Sequence, residues 1–346
     1  KLEFPNGIPS FGTDSLRFTF AALAATGRDI KFDMKRIDGY RNFCNKLWNA
    51  ARFVITNTEK FNYQEISNKK ESLTVNKWIN SELQEAIKKT RSAIEAYRFD
   101  LAANTIYEFT WDNYCSWYLE LSKVLLNDEN ISIEKKDEVR KNLIDVLEQI
   151  LLIAHPIIPF ITEEIWQKVS SLKGQSGETI MCESYPQFNE DLISKDSLKE
   201  LKWLKHFISE VRSLKGEMNV APGTLVPILL ADPSEQDREY IKKNIHYLQS
   251  LAKVNKIEFL SEGTIEPESA MAILGQMRIL IPMANLINKD AEINRLEKET
   301  SKLLVEIERI ENKLKNNNFI KNAPELIIQK EKNKLQKAKI NLKKLT

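Results

Sequence analysis

Residues 37–53 read IDGYRNFCNKLWNAARF, and the reading of the fold turns on them. Tyr40, Phe43, Cys44, Leu47, Ala51 and Val54 recur at steps of three and four, which lays one apolar stripe along an α-helix. Arg41, Asn45, Asn49 and Arg52 form a second stripe of guanidinium and amide groups, with Lys46 and Trp48 beside it. An ordinary solvated face carries Glu and Lys pairs. This one offers fixed donors suited to phosphates, base edges or the carbonyls of another domain. A helix buried on two sides, its polar stripe satisfied within the protein, explains the same composition equally well.

Outward from that helix, the chain toward the N-terminus is an irregular connector over 1–12, with Pro5, Gly7, Pro9 and Gly12. Thr13 is placed to cap a helix with Asp14 in its first turn and Gly27 at its end. LRFTFAALAAT is apolar nearly all round, so this helix is expected to be buried or to lie against a domain outside the chain, with Arg17 as a packed structural arginine. Asp29–Lys35 reads as a short extended link.

Toward the C-terminus, a polar linker (57–71) precedes helices expected over about 74–97, 100–126 and 135–153, and a shorter one from Pro159 and Thr162. Tyr97, Phe99, Tyr107, Phe109, Trp111, Tyr114, Trp117 and Tyr118 are dense enough to stack bases. At helical spacing they read first as packed core. Such helices with short connections imply an antiparallel bundle. The texture then changes. A short strand is possible at 179–182, a helix at 198–218, strands at 225–230, 256–260, 270–274 and 278–281, and a helix at 236–254, together a small α/β subdomain.

The end is a heptad segment. Ile293, Leu296, Thr300, Leu303, Ile307, Ile310 and Leu314 alternate steps of three and four, and so do Ile328, Glu331, Leu335, Ala338, Leu342 and Leu345. NNNFIKNAP breaks the pattern between them, which predicts an antiparallel coiled-coil hairpin about 30 Å long. From Asn312 onward ten lysines stand against two glutamates, a local +8 in a chain of net charge +2. That is the footprint of a polyanion-binding arm or of a lysine-rich solvated helix.

Composition excludes several classes. With ten glycines and eleven prolines in 346 residues, helices should dominate. Cys44, Cys115 and Cys182 lack CxxC spacing and are odd in number, so neither a disulfide framework nor a zinc site is supported, which fits a cytoplasmic protein. No apolar run is long enough to span a membrane, and neither a signal peptide nor an initiator Met is present, so the chain is expected to be part of something longer. No phosphate-cradling glycine loop or nucleophile–base pair occurs, and His155, with no ligand at spacing, reads as structural. No catalytic and no metal residue is assigned. The residues alone point to a binding module for a folded polyanion; a coiled-coil scaffold with a protein partner is the alternative.

Resemblance then becomes specific. GTDSLRFTFAALAATGRDIKFDMKRIDGYRNFCNKLWNAARF, FDLAANTIYEFTWDNYCSWYLELSK, HPIIPFITEEIW and VRSLKGEMNVAPG resemble the region after the KMSKS loop in the valine–tRNA ligase family of class I aminoacyl-tRNA synthetases. RLEKETSKLLVEIERIENKL and FIKNAPELIIQKEKNKL resemble that family's tRNA arm, which sets it apart from the leucine and isoleucine ligases. The resemblance implies a mainly α fold: a stem-contact and connector region (1–36), an anticodon-binding helical bundle (37–173), a linker and small α/β subdomain (174–285) and the coiled-coil arm (286–346). Neither the HIGH-type nor the KMSKS ATP signature is present, nor an editing insertion. ATP and valine would therefore be used, and mischarged threonine hydrolysed, on a catalytic domain upstream in the same polypeptide. The chain itself would bind no cofactor, be inactive alone, take the valine tRNA as partner and be a monomer. The family's anticodon-contacting positions fall on Lys35 and on Phe53, with Arg52 beside it, and the elbow-contacting ones on Arg309 and Lys334. In a straight helix Lys35 and Phe53 lie about 27 Å apart and cannot grip one nucleotide.

Overall fold

The computed structural model describes residues 9–25, 33–66, 73–174, 177–261 and 265–283, with 301, 304–305, 307–315, 329, 333–336 and 339 of the C-terminal segment. They divide into two compact units: Lys1–Val211 with Ser234–Val254, and Arg212–Pro233 with Asn255–Thr346.

The first unit is helical. Its elements are α1 (Thr13–Leu23), α2 (Met34–Thr58), α3 (Tyr63–Ile66), α4 (Thr74–Glu95), α5 (Phe99–Glu108), a π-helical segment (Phe109–Tyr118), α6 (Leu119–Asn127), α7 (Ile133–Ala154) and α8 (Pro159–Leu172). The apolar stripe of α2 is buried through Ile37, Phe43, Leu47, Ala51 and Val54, against a core that includes Trp78, Tyr114, Tyr118 and Trp166. Within that core Tyr118 Oη donates to Asn76 Oδ1 at 2.8 Å and accepts from Asn142 Nδ2 at 2.8 Å. Asn80 Nδ2 donates to Asn142 Oδ1 at 2.9 Å, so one satisfied chain ties α4, the π segment and α7.

α1 is fastened by polar groups. The Asp14 carboxylate accepts from the backbone N–H groups of Phe160 (3.4 Å) and Ile161 (2.7 Å), capping α8 where Ile158 offers no side-chain cap. Arg17 Nε donates to the Ile157 carbonyl at 2.9 Å and Nη2 to that of Pro156 at 3.1 Å. Arg17 is thus the structural arginine its surroundings suggested. His155 Nδ1 meets Thr162 Oγ1 at 2.8 Å, and burial lowers its pKa, the behaviour of a structural imidazole.

Several expectations need correction. Gly12, at φ 88°, precedes the first turn of α1 in place of Thr13, and the helix ends at Leu23; the expected stop at Gly27 lies outside the described residues. The link expected to run to Lys35 gives way to α2 at Met34, because Asp33 caps the helix by accepting from Lys35 N–H at 3.0 Å; 29–32 lie outside the described residues. The helix expected over 100–126 passes through ten π-helical residues, and 180–182 is a 3-10 turn capped by Thr179, not a strand.

α9 (Lys195–Glu217) is followed by β1 (Val226–Ala231), α10 (Glu235–Leu251), β2 (Val254–Phe259), β3 (Ser269–Leu274) and β4 (Met277–Pro282). The strands form one sheet in the order β2-β1-β4-β3, with β4 antiparallel to both its neighbours and Leu229 opposite Leu280. The helix of the expected α/β subdomain belongs to the helical unit instead. Its Asn244, at a kink, donates to Glu200 Oε1 of α9 at 2.8 Å, and Asp237 Oδ1 accepts from Trp203 Nε1 at 2.7 Å.

Candidate nucleic-acid interface

α2 carries the candidate residues, and its polar face is open. Arg41, Asn45, Asn49 and Arg52 are exposed, and among the described residues none has a hydrogen-bond or ionic partner. Within the described residues the polar stripe is therefore not satisfied internally. These donors are free of the described residues to meet water or another molecule.

Lys35 stands in the first turn of α2, exposed, rather than before the helix. Phe53 stands eighteen residues on, five helical turns later, so both side chains leave the same face about 27 Å apart. Phe53 is half-buried, neither core nor free: the ammonium of Lys123 in α6 lies 5.4 Å from its ring and is paired to Glu120 at 2.6 Å. Between Lys35 and Phe53 on that face stands Lys46. Its ammonium lies 3.8 Å from the Trp111 ring and donates to Ser116 Oγ at 2.9 Å. The aromatic set that read as core divides accordingly. Phe109, Tyr114 and Tyr118 are buried; Trp111 and Tyr107 are half-buried, and Tyr97 is exposed. A pairing across 65 residues leaves no periodic signal, so sequence reading missed Lys46 with Trp111.

Other surface groups are apolar. Leu16 and Phe20 of α1, Trp48 of α2 (41 % exposed) and Phe160 of α8 (64 %) are exposed, and the Lys168 ammonium lies over the Trp48 ring at 5.6 Å. A cavity of about 810 Å³ is lined by residues of α4, α7 and 187–192, with Ser132 and Lys173. Its charges cross-brace one another: Lys173 reaches Glu148 at 2.6 Å and Asp145 at 3.6 Å, and Lys141 reaches Asp145 at 2.5 Å. Among the described residues no group of three or more His, Cys, Asp or Glu side chains is arranged to hold a metal, and no helix is long and apolar enough to cross a membrane.

In the arm, Ile307 and Ile310 are buried as the heptads require, while Leu304 and Val305, off the seam, are exposed. Lys339 pairs with Glu311 at 2.6 Å, which brings the second segment alongside the first. Arg309 and Lys334 are both exposed. Most of the expected hairpin lies outside the described residues.

Residues 76–230 match the anticodon-binding domain of tRNA ligase, and residues 288–346 match the valyl tRNA synthetase tRNA binding arm. The chain is similar to the valine–tRNA ligase of Legionella pneumophila (strain Lens), 46 % identical over 343 residues, covering 99 % of this chain and 37 % of that protein. It is similar also to the valine–tRNA ligase of Coxiella burnetii (strain RSA 493 / Nine Mile phase I), 45 % identical over 346 residues with the same coverage. The chain therefore spans little more than a third of the length of these relatives. Among solved structures, a ternary complex of Agrobacterium radiobacter K84 agnB2 LeuRS with tRNA and LeuAMS aligns at a TM-score of 0.40 and 15 % identity, over 73 % of this chain and 29 % of that one.

Proposed function

We propose, from its similarity to the C-terminal part of the valine–tRNA ligases, that this chain is the tRNA-recognition part of such an enzyme. The observation that carries this reading is the open donor stripe of α2, a helix that precedes the matched anticodon-binding domain and packs on its π segment, α7 and α8. Guanidinium and amide groups without internal partners suit phosphate oxygens and the edges of unpaired bases. Lys35, Arg52 and Phe53 address the anticodon loop; Arg309 and Lys334 of the arm address the folded elbow. In the intact polypeptide, upstream domains use ATP to attach valine to its tRNA and hydrolyse mischarged threonine. The outward Leu16, Phe20, Trp48 and Phe160 supply apolar surface against which such a domain can pack.

The test is binding of the purified chain to valine tRNA at several salt concentrations. A steep linear fall of log affinity with log salt supports the reading, and its absence favours a protein-binding scaffold. Phe53→Ala is expected to weaken binding by about 1–3 kcal/mol, the worth of one stacked base, with the circular dichroism spectrum unchanged. A variant that unfolds would assign Phe53 to packing. Because neither ATP signature occurs in the sequence, the isolated chain is expected to show no valine-dependent pyrophosphate exchange. Exchange above background would overturn the placing of the chemistry upstream.

A further inference from the structure

The cavity between α4 and α7 has a polar lining that is only partly bonded. The two helices run in parallel register, with Asn76 Nδ2 bonded to the Glu138 carbonyl and Asn80 to Asn142. One turn beyond Asn80 stands Gln84, 4 % exposed. Its Oε1 accepts from the Asn189 N–H at 2.8 Å, and its Nε2 has no partner among the described residues. Glu148, 8 % exposed, lines the same cavity. Its Oε2 accepts from Lys173 Nζ at 2.6 Å, and its Oε1 has no partner among the described residues. Beside it the half-buried Gln149 makes no hydrogen bond to them. A buried amide and a buried carboxylate, each half-bonded, destabilise a folded unit unless something polar meets them.

Charge and shape narrow what that is. At this end of the cavity Lys141 and Lys173 are paired with Asp145 and Glu148, two charges of each sign. Glu134, Lys135 and Glu138 line the other end, about 15–20 Å away along α7. A ligand of net charge would upset the balance, whereas one with both poles and no net charge keeps it. The free Glu148 oxygen suits an ammonium, with the Gln149 carbonyl as a second acceptor; Gln84 Nε2 and the Lys173 ammonium suit a carboxylate. Both poles of an α-amino acid stand on one carbon, so acceptor and donor must be neighbours, as the Glu148 carboxylate and Lys173 Nζ are. Leu83 and Leu192 add apolar wall for a side chain.

We propose that this end of the cavity is a binding site for a free α-amino acid with an apolar side chain, its ammonium on Glu148 and Gln149 and its carboxylate on Gln84 and Lys173. Among the described residues none of α2 or of the arm lines it, and the inference does not rest on the tRNA reading. Binding is non-covalent.

Calorimetric titration of the 346-residue chain with L-leucine, L-leucinamide and 4-methylpentanoate tests both poles, since the second compound lacks the carboxylate and the third the ammonium. Leucine is expected to fill one site with a dissociation constant on the order of 1 mM, and the other two to bind at least about tenfold more weakly. Gln84→Met should weaken leucine by at least about tenfold and Gln149→Leu by about threefold. Leucine should also raise the melting midpoint of the unaltered chain more than that of either variant. If Gln84→Met fails to fold, Gln149→Leu decides, because no described residue is bonded to that amide. A cavity that holds only water gives no saturable heat up to about 20 mM leucine, which overturns the proposal. Equal affinity for the three compounds overturns it as well, as does unchanged leucine affinity in the folded variants. None of these results bears on the binding of tRNA, so a failure here is distinct from a failure of the reading above.

Discussion

Removal of residues 288–346 is expected to weaken the binding of every tRNA alike and to flatten its dependence on salt. The deleted stretch carries the local +8 that begins at Asn312, whereas the rest of the chain is slightly acidic, so the arm supplies most of the favourable long-range field. Not all its lysines are free to act. Lys339 is tied to Glu311 at 2.6 Å, and the pairing holds the Glu311 carboxyl below its usual range. Arg309 and Lys334 are exposed and stand on different segments of the arm. A basic surface of this form reads phosphate and shape rather than sequence.

Each phosphate that the shortened chain no longer touches should reduce the log–log salt slope by about 0.7–0.9, so releasing about four phosphates would lower it by about three. Arg309→Ala and Lys334→Ala should each reproduce part of that effect. On the proposed reading, in which α2 and not the arm addresses the anticodon loop, anticodon changes in the tRNA should cost the truncated and the intact chain equally. An unchanged slope after deletion would make the arm a structural or protein-binding hairpin.

The second large effect is expected at α2. Reversing both Arg41 and Arg52 to glutamate should lower affinity for valine tRNA on the order of a hundredfold, roughly tenfold for each charge-assisted contact. The fold should not change, because both side chains are exposed and neither has a partner among the described residues. Arg17→Ala provides the contrast. It removes donors to the Pro156 and Ile157 carbonyls, so it should lower the melting temperature while the folded fraction binds normally. Should the double reversal bind tRNA as tightly as the unaltered chain, the open stripe would be assigned to a neighbouring domain.

Much of this protein was legible in one dimension. The helical stripe of α2, the four strands at 226–231, 254–259, 269–274 and 277–282, the Pro159 helix start and the seam positions Ile307 and Ile310 all follow from local periodicity and turn chemistry. These signals are local because a helix or strand must present one face to a core, whatever that core contains. The likeness to a tRNA-binding family was legible too, in long motifs.

What tertiary structure alone decided concerns partners distant in the chain. Sequence left the α2 stripe undecided between satisfied and open, since the acceptors that would have satisfied it belong to other elements. It assigned α10 to the small α/β subdomain, although Asn244 and Asp237 bond to α9. The π-helical register escaped it because the residues from 109 to 118 suit an α-helix equally well. The pairing of Lys46 with Trp111 exists only because that register carries the indole and Ser116 under a helix sixty-five residues earlier. Periodicity determines which side of an element faces inward; which groups remain without a partner outside is settled only when all the elements are in place.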